Sequence, residues 1–501
     1  MEEKPQDVLS LRRNKVNALR DAGYDLYPTK VGRTHSLGLL RADFKKLEKG
    51  KQRVIIVGRI MTLRTHGGIS FATIRDGSGD FQVAFQEDVL GNAYAGIDDL
   101  DLGDFIEVSG TPFTTKRGEP SVSSANFRII SKALRPLPEK WHGLKDPEER
   151  YRRRYLDMLT NSETREKLLK RATLVRTLRD QLHAEGFSEI ENPVLEVAAS
   201  GAAAKPFSTH IDAYDLDLYL RIAVGELWQK RSLVGGFEKI YEIGRAFRNE
   251  GVDYSHNPDF TMLEYYWAYA DYEDNLALHE RMIPAAVEAT TGSLKVPYGG
   301  DVIDFTPPYP RITFAAAIAE ATGIDITSLG DIDSLAKAIT AAGLKVEPGA
   351  SYAKLLDDLF KNSYRAHAVQ PVFVTHYPSI LKPLAKRSPD YPGTAEMFQL
   401  IVATVELSNS YTELNDPEDQ RVRFEEQSAM AAAGDPEAMQ IDAEYIEALE
   451  YGMPPATGTG IGIDRFSALL TNSHSIREVT AYPLMKPRRS DQEGTGDSSN
   501  E

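Results

Sequence analysis

Five short runs rich in β-branched and aromatic residues succeed one another between Arg53 and Ser131, and they constrain the fold more than any other feature. The runs read RVIIVGRIMTLR, GISFATIRDGSG, DFQVAFQ, DFIEVSGTPFTT and SVSSANFRIIS, with Gly, Asp and Pro residues at the turns. Short runs of this composition, bounded by turn residues, are typical of β-strands. Five such strands in one compact segment predict a small barrel of the OB-fold type.

The remaining segments predict an α+β chain of several domains, since 501 residues exceed one ordinary domain. The run TREKLLKRATLVRTLRDQLHAEG has apolar residues at helical spacing and ends at Gly186, and FSEIENPVLE then alternates like a strand around Pro193. The predicted domains are a helical arm at 1–50, the barrel at 51–133, a linker at 134–160, a larger domain at 161–487 with a helical insertion near 310–362, and a disordered tail at 488–501.

Composition excludes several classes of protein. With 42% hydrophobic residues the chain can bury large cores, so global disorder is excluded. The absence of cysteine removes disulfides, thiolate metal sites and cysteine nucleophiles together. No long apolar run and no apolar N-terminal signal segment occurs, so we expect a cytoplasmic protein that does not bind membranes.

Net charge leaves nucleic-acid binding open. The formal net charge of −16 argues against it. A basic face would have to be assembled in three dimensions, and the same basic runs can equally be solvated helix faces with ion pairs. The candidates are Arg12, Arg13, Lys15, Arg150, Arg152, Arg153 and Arg154.

Two distant stretches predict a site for a nucleoside triphosphate. The first is Phe247-Arg248-Asn249-Glu250 with His256-Asn257-Pro258-Asp259-Phe260 after a short loop, and the second is GTGIGIDR at 458–465. In a strand, Arg248 and Glu250 project to the same side, where the arginine can bind a phosphate and the glutamate a base amino group. The alternate glycines let a ligand or another backbone approach closely. Neither a P-loop nor a G-x-G-x-x-G motif occurs in the chain.

These stretches resemble motifs 2 and 3 of the class II aminoacyl-tRNA synthetases. The resemblance extends to the lysyl-tRNA synthetases of that class, in the segments Gly201–Tyr272, Ala133–Leu159, Asn409–Gln420 and Thr471–Pro487. It implies an N-terminal OB-fold followed in the sequence by a domain with an antiparallel sheet flanked by helices. It also implies ATP-dependent ligation of L-lysine to tRNA(Lys) through a lysyl-adenylate, a requirement for Mg²⁺, and a homodimer formed through motif 1 around Pro193.

The resemblance assigns the ATP-binding residues. Arg248 would bind the α-phosphate and the substrate carboxylate, and Arg465 the γ-phosphate, as the two catalytic residues. Glu250 and His256 would contact the adenine and the phosphates, with Phe260 stacked on the purine. The family holds Mg²⁺ with two acidic residues seven positions apart. Here the second is Glu406, but the first position is Gln399.

The substrate pocket implied by the resemblance is rich in carboxylates. Glu413 and Tyr266 would take the ε-ammonium, Glu226 and the Gly201 carbonyl the α-amino group, and Asn409 the carboxylate. Glu264 and Tyr411 complete the predicted pocket. The family has Ala-Pro-Glu before Leu-Tyr, whereas this chain has an extra residue at Val224-Gly225, which makes the placement of Glu226 a point to test.

In the barrel, Phe71, Gln82 and Glu119 stand where the family reads the middle base of the anticodon. Stacking on an aromatic ring and hydrogen bonds to base edges are the usual means of recognising single-stranded RNA. The alternative is a packing role for Phe71 and surface turns for the other two residues.

Three other functions compete with the lysine ligase. Aspartyl- or asparaginyl-tRNA synthetases share the barrel and the motifs, but they need a cationic pocket where this chain supplies Glu264 and Glu413. Relatives that attach lysine to a protein lack the barrel. A catalytically weakened RNA-binding or regulatory paralogue is suggested only by Gln399 and the altered loop before Glu226.

Overall fold

The computed structural model describes residues 5–138, 144–198, 201, 204–432 and 441–488. The chain divides into two compact units, residues 1–144 and 145–501. The boundary falls inside the stretch predicted as a linker, and the predicted tail lies outside the described residues except for Arg488.

The first unit is a barrel with a helical N-terminal segment. Its elements are α1 (Pro5–Asp21), α2 (Leu37–Ala42), α3 (Phe44–Lys49), β1 (Val54–His66), β2 (Ile69–Asp76), β3 (Gly79–Gln86), α4 (Glu87–Leu90), a 3₁₀ helix (Gly91–Asp99), β4 (Phe105–Thr114) and β5 (Pro120–Ser131).

The five strands form a closed barrel in the order β1-β2-β3-β5-β4, which confirms the predicted OB-fold. Alternate residues of β1, such as Val54 and Ile56, point into the barrel, as the pattern of the strand requires. The helical arm contributes Val16 and Leu19 to the same core. The arm therefore belongs to the barrel unit.

The second unit is larger. Its helices are α5 (Pro147–Arg152), α6 (Arg154–Thr160), α7 (Ser162–Ala184), α8 (Glu226–Val234), α9 (Tyr272–Thr291), α10 (Phe314–Thr322), α11 (Ile332–Ala341), α12 (Tyr352–Asn362), α13 (Pro417–Ala432), α14 (Ala443–Glu450) and α15 (Ile463–Leu470). Short 3₁₀ helices lie at Ile326–Ser328, Arg365–His367, Ser379–Leu381 and Ile476–Val479.

The strands of this unit are β6 (Ser188–Glu189), β7 (Leu195–Glu196), β8 (Ser208–Ile211), β9 (Leu216–Leu220), β10 (Lys239–Phe247), β11 (Asp259–Ala268), β12 (Lys295–Tyr298), β13 (Asp301–Asp304), β14 (Arg311–Thr313), β15 (Val372–Thr375), β16 (Met397–Val402), β17 (Val405–Thr412) and β18 (Ala456–Gly462). An eight-stranded sheet has the order β14-β15-β16-β17-β18-β11-β10-β6. It is antiparallel except at its two ends, where β14 pairs with β15 and β6 with β10 in parallel. The predicted antiparallel sheet is confirmed.

The two faces of the large sheet differ in polarity. Leu263 and Tyr265 of β11 pack on one face against α7, α9 and α15, which supply residues such as Leu178 and Met282 to a common core. On the other face Glu264 stands opposite Gly460 of β18, which in turn pairs with Asn409 of β17. Directly paired residues point to the same side of a sheet, so this row of residues forms a polar face.

The predicted linker and insertion both contain regular structure. Helices α5 and α6 lie within 134–160, and residues 139–143 of that stretch are outside the described part of the chain. Buried Arg154 of α6 pairs with Asp157 at 3.0 Å and donates to the carbonyl oxygens of Arg477, of Thr480 at 3.2 Å and of Ala481 at 3.3 Å. The insertion opens with β14, which joins the edge of the sheet, and continues as helices α10 to α12 over their own apolar cluster. Among the described residues, no helix is both long and apolar enough to cross a membrane.

Candidate active site

A cavity of about 380 Å³ lies over the polar face of the large sheet and brings the two predicted stretches together. Arg248, Glu250, His256 and Phe260 line it from one side, and Arg465 from another. Strands β11 and β18 are neighbours in the sheet, so the two stretches lie close in space although they are far apart in the sequence.

The loop after β10 carries Arg248 and Glu250 into the cavity. Strand β10 ends at Phe247, so the strand geometry assumed for Arg248 and Glu250 is wrong, although both residues reach the cavity. Arg248 Nε donates to the Ile222 carbonyl at 3.2 Å, and its guanidinium carbon lies 5.2 Å from the centre of the Phe260 ring. Burial lowers the pKa of Arg248, but arginine keeps its charge in proteins. Arg248 is therefore a fixed cation beside an aromatic face.

Arg465 is held at the same cavity through His256. Arg465 Nη2 lies 3.3 Å from His256 Nε2, and His256 Nδ1 lies 3.0 Å from Asp253. Although burial opposes it, hydrogen bonds from Ser255 and His256 lower the pKa of Asp253 to about 2. An ionised Asp253 fixes the proton of His256 on Nδ1, so Nε2 is left to accept from Arg465.

One end of the cavity is acidic, and its central group lacks a partner. Glu264 Oε1 accepts from the Val224 N–H at 2.9 Å, while Oε2 has no hydrogen-bond partner among the residues that the structure describes. Burial, and then the charge of Glu226, raise the pKa of Glu264 to about 8. A buried carboxylate oxygen without a donor is costly, so this end of the cavity fits a cation.

The extra residue before Glu226 is absorbed by a turn. Gly225 has φ of 72°, and a Cβ on it would lie 2.7 Å from Asn192 Cβ. Only glycine meets both conditions. Glu226 consequently begins α8 and lines the cavity, as predicted.

Glu413 is buried, and its two carboxylate oxygens have different surroundings. It is absent from the cavity lining, and Glu413 Oε2 lies 2.5 Å from the Nζ of Lys230, a residue that the sequence did not single out. Its Oε1 lies over Gly458 on the side of the Tyr266 ring, where an added Cβ would come within 2.2 Å of it, and it has no hydrogen-bond partner among the described residues. Lys230 therefore engages Oε2 and leaves Oε1, on the cavity face of Gly458, for the predicted contact with a ligand ammonium.

The other predicted pocket residues are close together. Gly201, Tyr266, Asn409 and Tyr411 all line the cavity. The Asn409 Oδ1 is buried without a hydrogen-bond partner among the described residues, and the Tyr411 hydroxyl donates to Glu226. The alternate glycines of β18 face this group, where Gly458 accommodates the Tyr266 ring.

The two predicted metal positions separate. Glu406 lines the cavity, whereas Gln399 does not, and Gln399 Oε1 accepts from the Tyr377 hydroxyl at 2.6 Å. The amide oxygen is therefore engaged away from the cavity. Among the described residues, no cluster of His, Asp and Glu is sufficient to hold a metal ion alone.

Lys382 is a further cation of the cavity that sequence reasoning missed. It lines the wall close to Glu406, and burial lowers its pKa while Glu406 opposes that effect. Its Nζ lies 5.6 Å from the centre of the Tyr377 ring. No motif marks this lysine, since its loop joins the cavity only in the folded chain.

The three predicted RNA-reading residues lie in one region of the barrel unit. Phe71 pairs with Ala84 and Gln82 pairs with Thr73, so these side chains share the outer face of β2 and β3. Gln82 Nε2 donates to Ser121 Oγ at 2.8 Å, and Glu119 is exposed in the turn just before that serine. Exposed Arg64 stands opposite Phe71 in the register and adds a cation that the sequence did not single out.

Comparisons with known proteins agree with both units. Residues 146–486 match the family of class II tRNA synthetases for D, K and N, and residues 54–130 match the OB-fold nucleic acid binding domain. The lysine–tRNA ligase of Moorella thermoacetica is 45% identical over 487 residues, which cover 97% of this chain and 99% of that protein. The lysine–tRNA ligase of Roseiflexus castenholzii is 48% identical over 477 residues, which cover 95% and 97%. With similarity of this extent in both domains, the chain belongs to the class II lysyl-tRNA synthetases.

Proposed function

We propose that the chain activates L-lysine with ATP and transfers the lysyl group to its cognate tRNA. The observation that carries this proposal is the unpartnered Oε2 of buried Glu264, in the same cavity as Arg248 and Arg465. An anionic end for an ammonium and two arginines for phosphates match the charges of lysine and ATP.

The first step joins two anions, so the protein has to position and neutralise them. The lysine carboxylate attacks the α-phosphorus, its oxygen forms the new P–O bond, and the bond to pyrophosphate breaks. Arg248 neutralises the α-phosphate and the attacking carboxylate, Arg465 the far end of the triphosphate, and Phe260 stacks on the adenine. In the second step a ribose hydroxyl at the tRNA 3′ end takes the lysyl group, and AMP leaves with the bridging oxygen.

Mg²⁺ fits this cavity with Glu406 as its protein ligand. Mg²⁺ is held mostly by phosphates and water with one or two carboxylates, so a single glutamate suffices. When bound, the ion neutralises charge on the phosphates. Lys382, whose pKa burial lowers and Glu406 raises, would add positive charge for the phosphates near Glu406.

Selection for lysine follows from the acidic end of the cavity. A substrate with a neutral or acidic side chain would leave the buried carboxylates of Glu264 and Glu226 without a partner, and this costs binding energy. An aspartyl or asparaginyl substrate would need a cation at this end, where both cavity-lining groups are carboxylates. That feature disfavours the competing synthetases.

The tRNA and subunit contacts belong to the same proposal. The barrel face with Phe71, Gln82 and Glu119 would stack and hydrogen-bond a single-stranded base, with Arg64 near its phosphate. Beside Pro193 the apolar residues Val194 and Val197 are 40% and 67% exposed. A second copy of the chain covering this segment would form a homodimer, and the place of action would be the cytoplasm.

ATP–pyrophosphate exchange with each standard amino acid tests the activity. We expect exchange with lysine alone, and loss of exchange in Arg248→Ala. Exchange with aspartate or asparagine would replace this proposal. Exchange with none, under varied Mg²⁺ and ATP, would favour the weakened paralogue.

A further inference from the structure

Lys230 is a buried cation that contacts Glu226 at the acidic end of the cavity. Its side chain is completely buried, and its Nζ lies 2.9 Å from Glu226 Oε1 and 2.5 Å from Glu413 Oε2. The same nitrogen lies 5.5 Å from the centre of the Tyr411 ring and 5.9 Å from that of Tyr266. A buried lysine is rare unless it is paired, and this one bridges two carboxylates.

Lys230, Glu226 and Glu413 form a trio of charged side chains, so Lys230 affects the charge of the cavity as well as the packing of α8. When both carboxyl groups are ionised, Glu226 and Glu413 carry two negative charges against the one positive charge of Lys230, so the trio has a single negative charge. Glu264 adds a third carboxyl group at the same end of the cavity. One ammonium placed against Glu226 from the cavity brings the trio to neutrality. Without Lys230, two buried carboxylates would remain, and like charges at short range retain a shared proton.

The identity of the neutralising group matters for the substrate. A shared proton would place an O–H donor toward the incoming ammonium, which is itself only a donor. Lys230 instead supplies its charge from behind the carboxylates, because Glu413 stands between it and Gly458. Acceptor oxygens are thereby left for the ligand.

We propose that Lys230 is a specificity-determining positioning residue, which sets the charge of the Glu226–Glu413 pair so that this pair accepts one ammonium group of the substrate. This inference rests on the proposed lysine activation. If the wild type fails to exchange with lysine, the proposed function fails, whereas the variants below test Lys230 alone.

A charge-balanced mutant cycle is the decisive experiment. Lys230→Met removes the cation, Glu413→Gln removes one carboxylate, and the double variant removes both charges and restores the single net negative charge. We expect each single variant to raise KM for lysine by about tenfold or more, with KM for ATP little changed. In the double variant KM for lysine should return at least partway toward the wild-type value.

The pH profile separates this role from simple packing. In Lys230→Met the Glu226–Glu413 pair should keep a proton at neutral pH. Its loss should make kcat/KM for lysine rise with pH more steeply than in the wild type, where Glu264 alone gives a rise. The double variant should lose this added ionisation. Lys239→Met, which alters a lysine outside the cavity, is the matched control and should leave KM for lysine unchanged.

The outcome that refutes the proposal is additivity. If the double variant is as impaired as the two single effects multiplied, Lys230 and Glu413 act independently and the charge balance is wrong. An unchanged KM for lysine in Lys230→Met, or an equal rise in KM for ATP, would also overturn it. KM does not depend on the fraction of folded enzyme, so the cycle stays decisive even if Lys230→Met folds poorly.

Discussion

Glu264→Gln gives the sharpest test of the acidic end of the cavity. The substitution keeps the shape of the side chain and its acceptor for the Val224 N–H, but it removes the charge from the oxygen that lacks a partner. A rise in pKa from the ordinary 4.5 to about 8 corresponds to about 5 kcal/mol against the ionised form in the empty cavity. Part of that free energy is recovered when an ammonium binds.

The magnitude follows from the bond that is lost. A hydrogen bond to a charged group contributes about 1.5–3 kcal/mol, so Glu264→Gln should raise KM for lysine about ten- to a hundredfold. KM for ATP should change little, because the proposed phosphate contacts are Arg248 and Arg465 and not Glu264. Glu238→Gln, which alters an exposed glutamate outside the cavity, is the matched control.

The raised pKa of Glu264 also predicts the direction in which kcat/KM for lysine changes with pH. Because the pKa is raised, the carboxyl group of the empty enzyme holds a proton below about pH 8, and in that form it cannot pair with an ammonium. In wild type, kcat/KM for lysine should therefore rise about tenfold per pH unit between about pH 6 and pH 8 and then level off. In Glu264→Gln this rise should vanish. Equal slopes in both proteins, measured by ATP–pyrophosphate exchange, would refute the assignment.

Three further predictions follow from the other contacts. Phe71→Ala should remove a stacking contact worth about 1–3 kcal/mol and weaken aminoacylation while lysyl-adenylate formation persists, and equal loss of both activities would indicate a folding role. Glu406→Gln should nearly abolish exchange at every Mg²⁺ concentration, whereas Gln399→Glu should leave the Mg²⁺ titration unchanged because Tyr377 engages that position. Gly225→Ala should destabilise the chain by about 1 kcal/mol or more and lower its Tm, because an alanine would be strained at φ of 72° and would collide with Asn192. An unaltered Tm would contradict the turn geometry.

The parts of the fold that the sequence predicted are those with local signals. The barrel strands alternate apolar and polar residues over short distances, and Gly and Pro residues mark their turns, so β1 to β5 could be recognised one at a time. Gly186 predicts the end of the α7 helix, and the helix ends two residues earlier, at Ala184. The short strand β14 was missed because three residues carry too little pattern.

The missed parts of the site depend on contacts between distant segments. Lys230 and Glu413 meet only after α8 packs against β11, and a lysine on a helix is otherwise most often solvated. Lys382 reaches the cavity from a loop without regular periodicity. Arg248 was expected on a strand, but the loop that replaces the strand end frees its side chain toward the cavity. Charge pairing across a fold is therefore the least predictable part of this site.

Buried Arg154 has a consequence for how the chain folds as it is made. Its carbonyl partners Thr480 and Ala481 lie 326 and 327 positions later in the chain. Strand β18, which stands between β17 and β11, is likewise synthesised long after β11. During translation the barrel unit can form early, whereas β11 waits with one edge unpaired and Arg154, already beside Asp157, waits for its carbonyl partners. That interval is the period in which a chaperone would protect the nascent catalytic unit from aggregation.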